Sequence, residues 1–205
     1  MQILIGSNNK GKIIEISEVL QGLPLEIIHP AHLNITDAPP ETGATFEENA
    51  LQKARFYFEK TQLPTVADDS GIIVEALENE LGLHTRRWGA GPQASDQEWI
   101  DFFLERMKME KNKRARFVCS IAYIDLQGAN YTFEGRCDGL ITPTLEAEYL
   151  PGLPISACFM PEGHSRVFSG LTIEQKNSTS HRGKATRKLA DFLRETQEPH
   201  QYLTD

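Results

Sequence analysis

The sequence predicts a mixed fold of strands and helices, either α/β or α+β with a long mixed sheet. Three observations lead there. A short apolar stretch at 2–5 ends at Gly6 and reads as a first buried strand. Directly after a polar turn, Ile13, Ile16, Val19 and Leu20 recur at helical spacing. Strand-like and helix-like stretches then follow one another to the end of the chain.

The turn after the first strand is Ser7-Asn8-Asn9-Lys10-Gly11, and its helix is expected from Lys12 onward. Residues 25–28 read as a second strand, and Pro39-Pro40 marks a loop. Thr45 with Glu48 three residues later is a capping-box signature that opens a second helix. Residues 65–67 form a short strand that runs into Asp68-Asp69-Ser70-Gly71, expected as a tight polar turn, before 72–76 turn apolar again. Residues 82–91 read as a Gly-rich loop carrying Arg86, Arg87 and Trp88, and 96–109 as an amphipathic helix. Residues 116–125 and 131–137 look like paired strands joined near Gly128-Ala129-Asn130, with a further short strand at 140–142. A rigid irregular loop at 151–154 precedes a strand at 157–160. The end is helical, at 172–177 and again at 181–194 with Ser180 as N-cap, and the last ten residues or so are polar and expected to fray.

A chain of 205 residues fits one domain, or one domain with two lobes, and is long enough for a substantial core. No repeat, low-complexity segment or linker divides it, no apolar run approaches the roughly 20 residues that span a bilayer, and the N-terminus does not read as a signal peptide. Cys119, Cys137 and Cys158 match no metal spacing and suit reduced core thiols of a cytoplasmic protein. The net charge of −8 argues against nucleic-acid backbone binding, which needs a basic footprint. A small polyanion remains accessible to such a chain through local lysines, backbone N–H groups and a divalent cation.

Ser7, Asn9 and Lys12 sit where a strand feeds a turn and then a helix. Unpaired N–H groups at a helix start attract anions, and these side chains add donors and a positive charge. The same residues also read as a capped turn with a solvated lysine. Glu41, Asp68 and Asp69 are acids whose proximity to an apolar strand is costly unless a hard cation neutralises them; Asp-Asp in a loop equally reads as turn chemistry. Lys53 alone reads as surface. Arg87 could meet an anion or stack on Trp88. Ser180-His181-Arg182, four residues after Lys176, either faces solvent at a capped helix start or reads the polar edge of a base.

The order of these pieces is more specific than any one of them. The sequence resembles the inosine triphosphate pyrophosphatase family through Ser7-x-Asn9-x-x-Lys12-x-x-Glu15, Glu41-Thr42-Gly43-Ala44-Thr45-Phe46-x-Glu48-Asn49-Ala50-x-x-Lys53-Ala54, Ala67-Asp68-Asp69-Ser70-Gly71, Gly82 with Arg87, Ala115-Arg116-Phe117-x-Cys119, Gly135 and Gly139, and Lys176 with Ser180-His181-Arg182-Gly183-x-Ala185. The resemblance implies hydrolysis of non-standard purine nucleoside triphosphates such as ITP, dITP and XTP to monophosphate and pyrophosphate. Ser7, Asn9, Lys12 and Lys53 would hold the triphosphate. Glu41 and Asp69 would bind Mg²⁺, and Asp69 or Asp68 would orient or deprotonate the attacking water. Ser70 would contact substrate, and Lys176, His181 and Arg182 would face the base. The implied fold is a long mixed sheet flanked by helices, in two lobes around a central cleft, in a homodimer. The readings held against this one are a phosphatase that removes the terminal phosphate and a nucleotide-binding protein without catalysis.

One block departs from the family. Where relatives usually carry Gly-Phe-Gly-Tyr/Trp-Asp-Pro before Pro-Glu-Gly, this chain reads Gly152-Leu153-Pro154-Ile155-Ser156-Ala157 before Pro161-Glu162-Gly163. Two aromatics are aliphatic and an aspartate is Ser156. Base stacking, worth about 1–3 kcal/mol in nucleic-acid sites, should weaken, and a hydroxyl that both donates and accepts replaces an acceptor. The chemistry is expected to be retained and base selectivity altered.

Overall fold

The structure is a computed structural model that describes residues 1–39, 41–78, 80–91 and 93–197. In chain order it runs β1 (Gln2–Ile5), α1 (Lys10–Leu20), β2 (Glu26–Ile28), α2 (Phe46–Thr61), β3 (Thr65–Val74), α3 (Asp96–Lys108), β4 (Arg114–Ile124), β5 (Asn130–Ile141), β6 (Phe159–Pro161), α4 (Ile173–Thr179) and α5 (His181–Gln197), with short 3-10 turns including Gly82–Arg87 and Pro154–Ala157. The strands form one sheet in the order β2-β1-β3-β4-β5-β6. β1 lies parallel to β2 and β3, and the pairs from β3 to β6 are antiparallel, so the sheet is mixed as expected.

Alternation along the strands decides what covers each face. On one face Val66, Cys119, Ile121 and Tyr123 meet Ile16 and Leu20 of α1 and Ala185, Leu189 and Leu193 of α5. On the other, Ala67, Ala122 and Ile124 meet Ala50 and Ala54 of α2, whose small side chains bring the helix close. Further along the sheet, Ile72, Val74, Cys137 and Ile141 enclose Trp99, Ile100, Phe103 and Met107 of α3 together with Phe159 and Phe168. The helix starts follow their caps. Asn9 accepts from the Lys12 amide, which starts α1 at Lys10, two residues before the expected point. Thr45 accepts from the Glu48 amide, but the Glu48 carboxylate returns to the Ala44 amide at 2.6 Å, so the reciprocal half of that capping box is shifted by one residue.

Several expected boundaries differ. The largest difference is at 68–71, which is no turn. β3 runs unbroken through Asp68, Asp69, Ser70 and Gly71, each registered against β4. Polar turn residues yield here because β4 supplies a full ladder and buried cations neutralise the acids. The Gly-rich segment at 82–91 is a 3-10 turn over its first six residues. The strands expected at 131–137 and 140–142 are one strand, β5, and the last strand begins at Phe159 after a 3-10 turn. Of the expected frayed end, 198–205 lie outside the described residues.

α5 reaches the sheet through Gly135 of β5. A Cβ there would lie 2.1 Å from the His181 carbonyl oxygen and 2.7 Å from the Ala185 nitrogen. Gly135→Ala therefore has to push the first turn of α5 off the sheet, an overpacking change expected to cost about 1–3 kcal/mol. Urea unfolding should show a lower midpoint at unchanged slope; an unchanged midpoint would mean that the contact is not limiting.

Candidate active site

The strand order fixes where a ligand can enter. The connections from β1 to β2 and from β2 to β3 place α1 and α2 on opposite faces, so the crevice between β1 and β3, beyond the carboxyl end of β1, is a topological switch point. β1 pairs with β3 only at Thr65 and Val66, and Gly6 then donates to the Val66 carbonyl before the chain turns away. From Ala67 onward β3 has a strand partner on one side only, β4. Its open edge is covered by side chains: Lys53 donates to the Asp68 carbonyl, and Thr85 Oγ1 accepts from the Ile72 amide. A cleft of about 350 Å³ opens at this edge, and both faces of β3 reach it.

On the α1–α5 face stands Asp68, 2% exposed. Lys12 Nζ is 3.0 Å from its Oδ2, and Arg182 donates to the same oxygen through Nε and Nη2, each at 3.2 Å. Ser70 Oγ lies 3.2 Å from that oxygen and accepts from Arg182 Nη2 at 2.8 Å. Arg182 also pairs with the buried Glu15, which takes Lys176 at 2.5 Å. Burial alone would raise the Asp68 carboxyl, but Lys12, Arg182 and Lys53 outweigh it and hold it well below the usual range. Glu15 is likewise lowered, with Arg182 and Lys176 overcoming its burial.

On the α2 face stands Asp69. Lys53 Nζ is 2.7 Å from its Oδ1 and 2.6 Å from Glu41 Oε1, so one ammonium touches both carboxylates. Burial opposes the Lys53 charge, yet Asp69, Asp68 and Glu41 raise its pKa, and it stays protonated. Asn49, one turn before Lys53 on the inward side of α2, donates to Asp69 Oδ2 at 3.1 Å and accepts from the Gly43 amide at 2.7 Å. It thereby ties the segment carrying Glu41 to β3. Two carboxylates converging on one cation-sized point suit a hard divalent ion that keeps waters and takes the rest of its ligands from phosphate. Among the described residues no cluster of three or more His, Cys, Asp or Glu side chains is arranged around a metal position.

The lining also includes Gly6, Asn8, Ala38, Pro39, Tyr57, Leu83, Thr85, Asp96, Trp99 and 152–156. Of the candidates named from sequence, Ser7, Asn9, Lys12, Glu41, Lys53, Asp68, Asp69, Ser70, Ser156 and Arg182 all line this one cleft. Ser156 is buried and donates to the Leu153 carbonyl at 2.6 Å. Lys176 and His181 are not among the lining residues; Lys176 is spent on Glu15, and His181 is stacked 4.5 Å from Phe117 at 10°. The Arg87 side chain lies outside the described residues. Glu15, Asn49 and Asp96 were not assigned roles from sequence. Glu15 and Asn49 do occur in the blocks quoted above, one helical turn from Lys12 and Lys53 respectively.

The chain is similar to known proteins over most of its length. The Ham1 family profile matches residues 3–192. A Leptospira interrogans protein named dITP/XTP pyrophosphatase is 40% identical over 193 residues, covering 94% of this chain and 97% of its own. A Deinococcus deserti protein of the same name is 35% identical, covering 92% and 87%. Among solved structures, the Staphylococcus aureus Ham1 protein superposes with a TM-score of 0.79 at 31% identity, covering 96% of this chain and 100% of its own. A HAM1 protein from Coxiella burnetii gives 0.79 at 32%, covering 95% and 99%.

His181 gives the site a measurable pH signature. Burial, reinforced by Arg182, pushes its pKa well below 6.5, and its Nδ1 is buried without a hydrogen-bond partner among the described residues. The ring is therefore neutral when folded and titrates normally when unfolded. Its share of stability is complete above the unfolded pKa of about 6.5 and is lost as pH falls toward the depressed folded value. His181→Phe, which suits the neighbouring Phe117 and Phe168, should flatten the decline of the urea midpoint between pH 7 and 5. Parallel declines in the variant and the parent would refute this.

Proposed function

The chain belongs to the Ham1 family, and on that premise we propose that it hydrolyses non-standard purine nucleoside triphosphates of the dITP and XTP type to monophosphate and pyrophosphate. The observation that carries the reading is the meeting of Glu41, Asp69, Lys12 and Lys53 in one cleft beyond the carboxyl end of β1 and alongside β3. We read residues 1–205 as a single two-lobed domain around that cleft, acting as a cytoplasmic homodimer with neither nucleic acid nor membrane as partner. Among the described residues no helix is long and apolar enough to cross a membrane, and the three cysteines are free and buried.

The triphosphate is bound by Ser7, Asn9, Lys12, the amides at the start of α1, and Lys53. Glu41 and Asp69 would hold Mg²⁺, which supplies positive charge against the phosphate oxygens. Asp69 orients a water at the α-phosphorus and accepts its proton. The bond from that phosphorus to the bridging oxygen breaks, and pyrophosphate leaves with the electron pair. Asp68, held by two cations, fixes Lys12 and Arg182 and is the second candidate for the proton. Ser70 stays at the phosphate end. Arg182 and Ser156 meet the base, with Lys176 acting through Glu15 and His181 set behind Arg182.

Asp69→Asn should lower turnover by roughly 10²–10⁴-fold without changing the far-UV circular dichroism, and chelation with EDTA should have a comparable effect reversed by Mg²⁺. The products should be pyrophosphate and monophosphate. Near-normal turnover of the variant would remove Asp69 from the chemistry, and phosphate with diphosphate would identify a terminal phosphatase instead.

The wall at 153–156 offers the base no aromatic ring, so discrimination between purines should be shallower than aromatic stacking would give. A turnover panel of inosine, xanthosine, adenosine, guanosine and pyrimidine triphosphates reads this directly. A strong, exclusive preference for inosine and xanthosine triphosphates would sink the claim of altered selectivity while leaving the activity intact.

A further inference from the structure

Gly152 stands at the head of that wall, and both halves of its peptide environment are occupied. Its amide donates to Asp96 Oδ2 at 2.6 Å, and its carbonyl accepts from Asn9 Nδ2 at 3.2 Å. Its φ of +82° is the left-handed region, and a Cβ there would lie 2.4 Å from Asn9 Nδ2. Asn9 is at the same time the N-cap of α1, its Oδ1 accepting from the Lys12 amide at 3.1 Å. The next residue, Leu153, rests on α1 at Gly11, where there is no room for a side chain. One short segment is thus clasped between the start of α3 and the turn proposed to hold phosphate.

The start of α3 does not need the Asp96 carboxylate. Ser95 accepts from the Glu98 amide and Glu98 returns to the Ser95 amide, which completes a capping box. Asp96 instead directs its carboxylate to Gly152 and lines the cleft. We infer that Asp96 is a positioning residue for the nucleotide site: by fixing the Gly152 peptide it sets the distance between the wall at 153–156 and the phosphate turn at Asn9. This rests on the proposed triphosphate reading. Leu153, Pro154, Ile155 and Ser156 meet a ligand by shape rather than by aromatic stacking, so their contribution to selectivity depends on where this wall is held. A hydrogen bond to a charged acceptor is among the stronger single contacts available for that purpose.

The test uses Asp96→Ala, Asp96→Asn and Asp96→Glu in the full chain. Asp96→Asn keeps an acceptor oxygen at the same reach. Asp96→Glu keeps the negative charge at the helix start but carries it one methylene too far. Two readouts are needed. In the nucleotide-free protein, hydrogen exchange of the Gly152 amide should accelerate in the Ala and Glu variants and recover in the Asn variant. In turnover, KM for inosine triphosphate should rise about tenfold in the Ala variant, the usual worth of one such bond, with kcat within about twofold, and the preference for inosine over adenosine triphosphate should shrink. The Asn variant should restore most of both.

Unchanged Gly152 exchange in the Ala variant overturns the clasp. Accelerated exchange with KM and base preference unmoved, or a fall in kcat at constant KM, overturns the positioning role. If the parent protein releases no pyrophosphate from any triphosphate, the functional reading fails separately, since the exchange measurement involves no nucleotide.

Discussion

The structure depends on a buried carboxylate that cannot stand alone. Asp68 lies in the middle of β3, and stripping a charge of its water in such a place is prohibitive unless opposite charge and hydrogen bonds replace it. Lys12 from α1 and Arg182 from α5 do so, and Arg182 in turn requires Glu15. The four members come from three elements, Lys12 and Glu15 from α1, Arg182 from α5 and Asp68 from β3, so the charges hold two helices to one strand in a single register. Removing one partner of such a buried pair typically costs about 3–5 kcal/mol, because the other is left uncompensated. The apolar cluster beneath α1 and α5 supplies bulk stabilisation; the ionic network selects which turn of each helix faces the cleft.

That selection lets adjacent acids do different work. Consecutive residues of a strand point to opposite faces, so Asp68 meets α1 and α5 while Asp69 meets α2. Both remain reachable from one cleft because β1 ends early and leaves that edge of β3 open. A tight turn at 68–71 would have aimed the acids by loop geometry and left them mobile. The ladder to β4 instead fixes their spacing and backbone direction.

Much of this was legible in the sequence. The apolar run at 2–5 with its polar turn, the Thr45 cap and the periodicity of 96–109 each led to the right element, because local caps and patterns decide those segments. Asp68-Asp69-Ser70-Gly71 did not, since four turn-prone residues become strand only through a partner strand more than forty residues away. The site was legible through the order of its blocks rather than through any single residue. Ten of the side chains it named do line one cleft. Lys176 and His181, which the resemblance sets toward the base, stand behind the lining, because helical spacing gives the face of a residue and not its depth: Lys176 is turned to Glu15, and His181 lies among aromatic rings. Asp96 was invisible as anything but a helix-start acid, since its partner, Gly152, is 56 residues away.

The charge count explains why the proposed reaction calls for a divalent cation. Glu15, Glu41, Asp68 and Asp69 are matched in the structure by Lys12, Lys53, Lys176 and Arg182. A triphosphate adds several negative charges to a cleft whose lining acids, Glu41, Asp68, Asp69 and Asp96, already outnumber its cations, Lys12, Lys53 and Arg182. Lysines that turn toward phosphate oxygens would leave Asp68, Asp69 and Glu41 under-neutralised, so the balance cannot be kept by rearrangement alone. Lys53 makes this plain, since it touches both Glu41 and Asp69. If it moves to the substrate, Glu41 and Asp69 lose their shared cation, and on the proposed reading these two carboxylates would hold an oxygen-preferring ion such as Mg²⁺, which would supply the missing positive charge. On the proposed reading substrate and metal would bind as a unit, each supplying the charge that makes the other tolerable in the cleft.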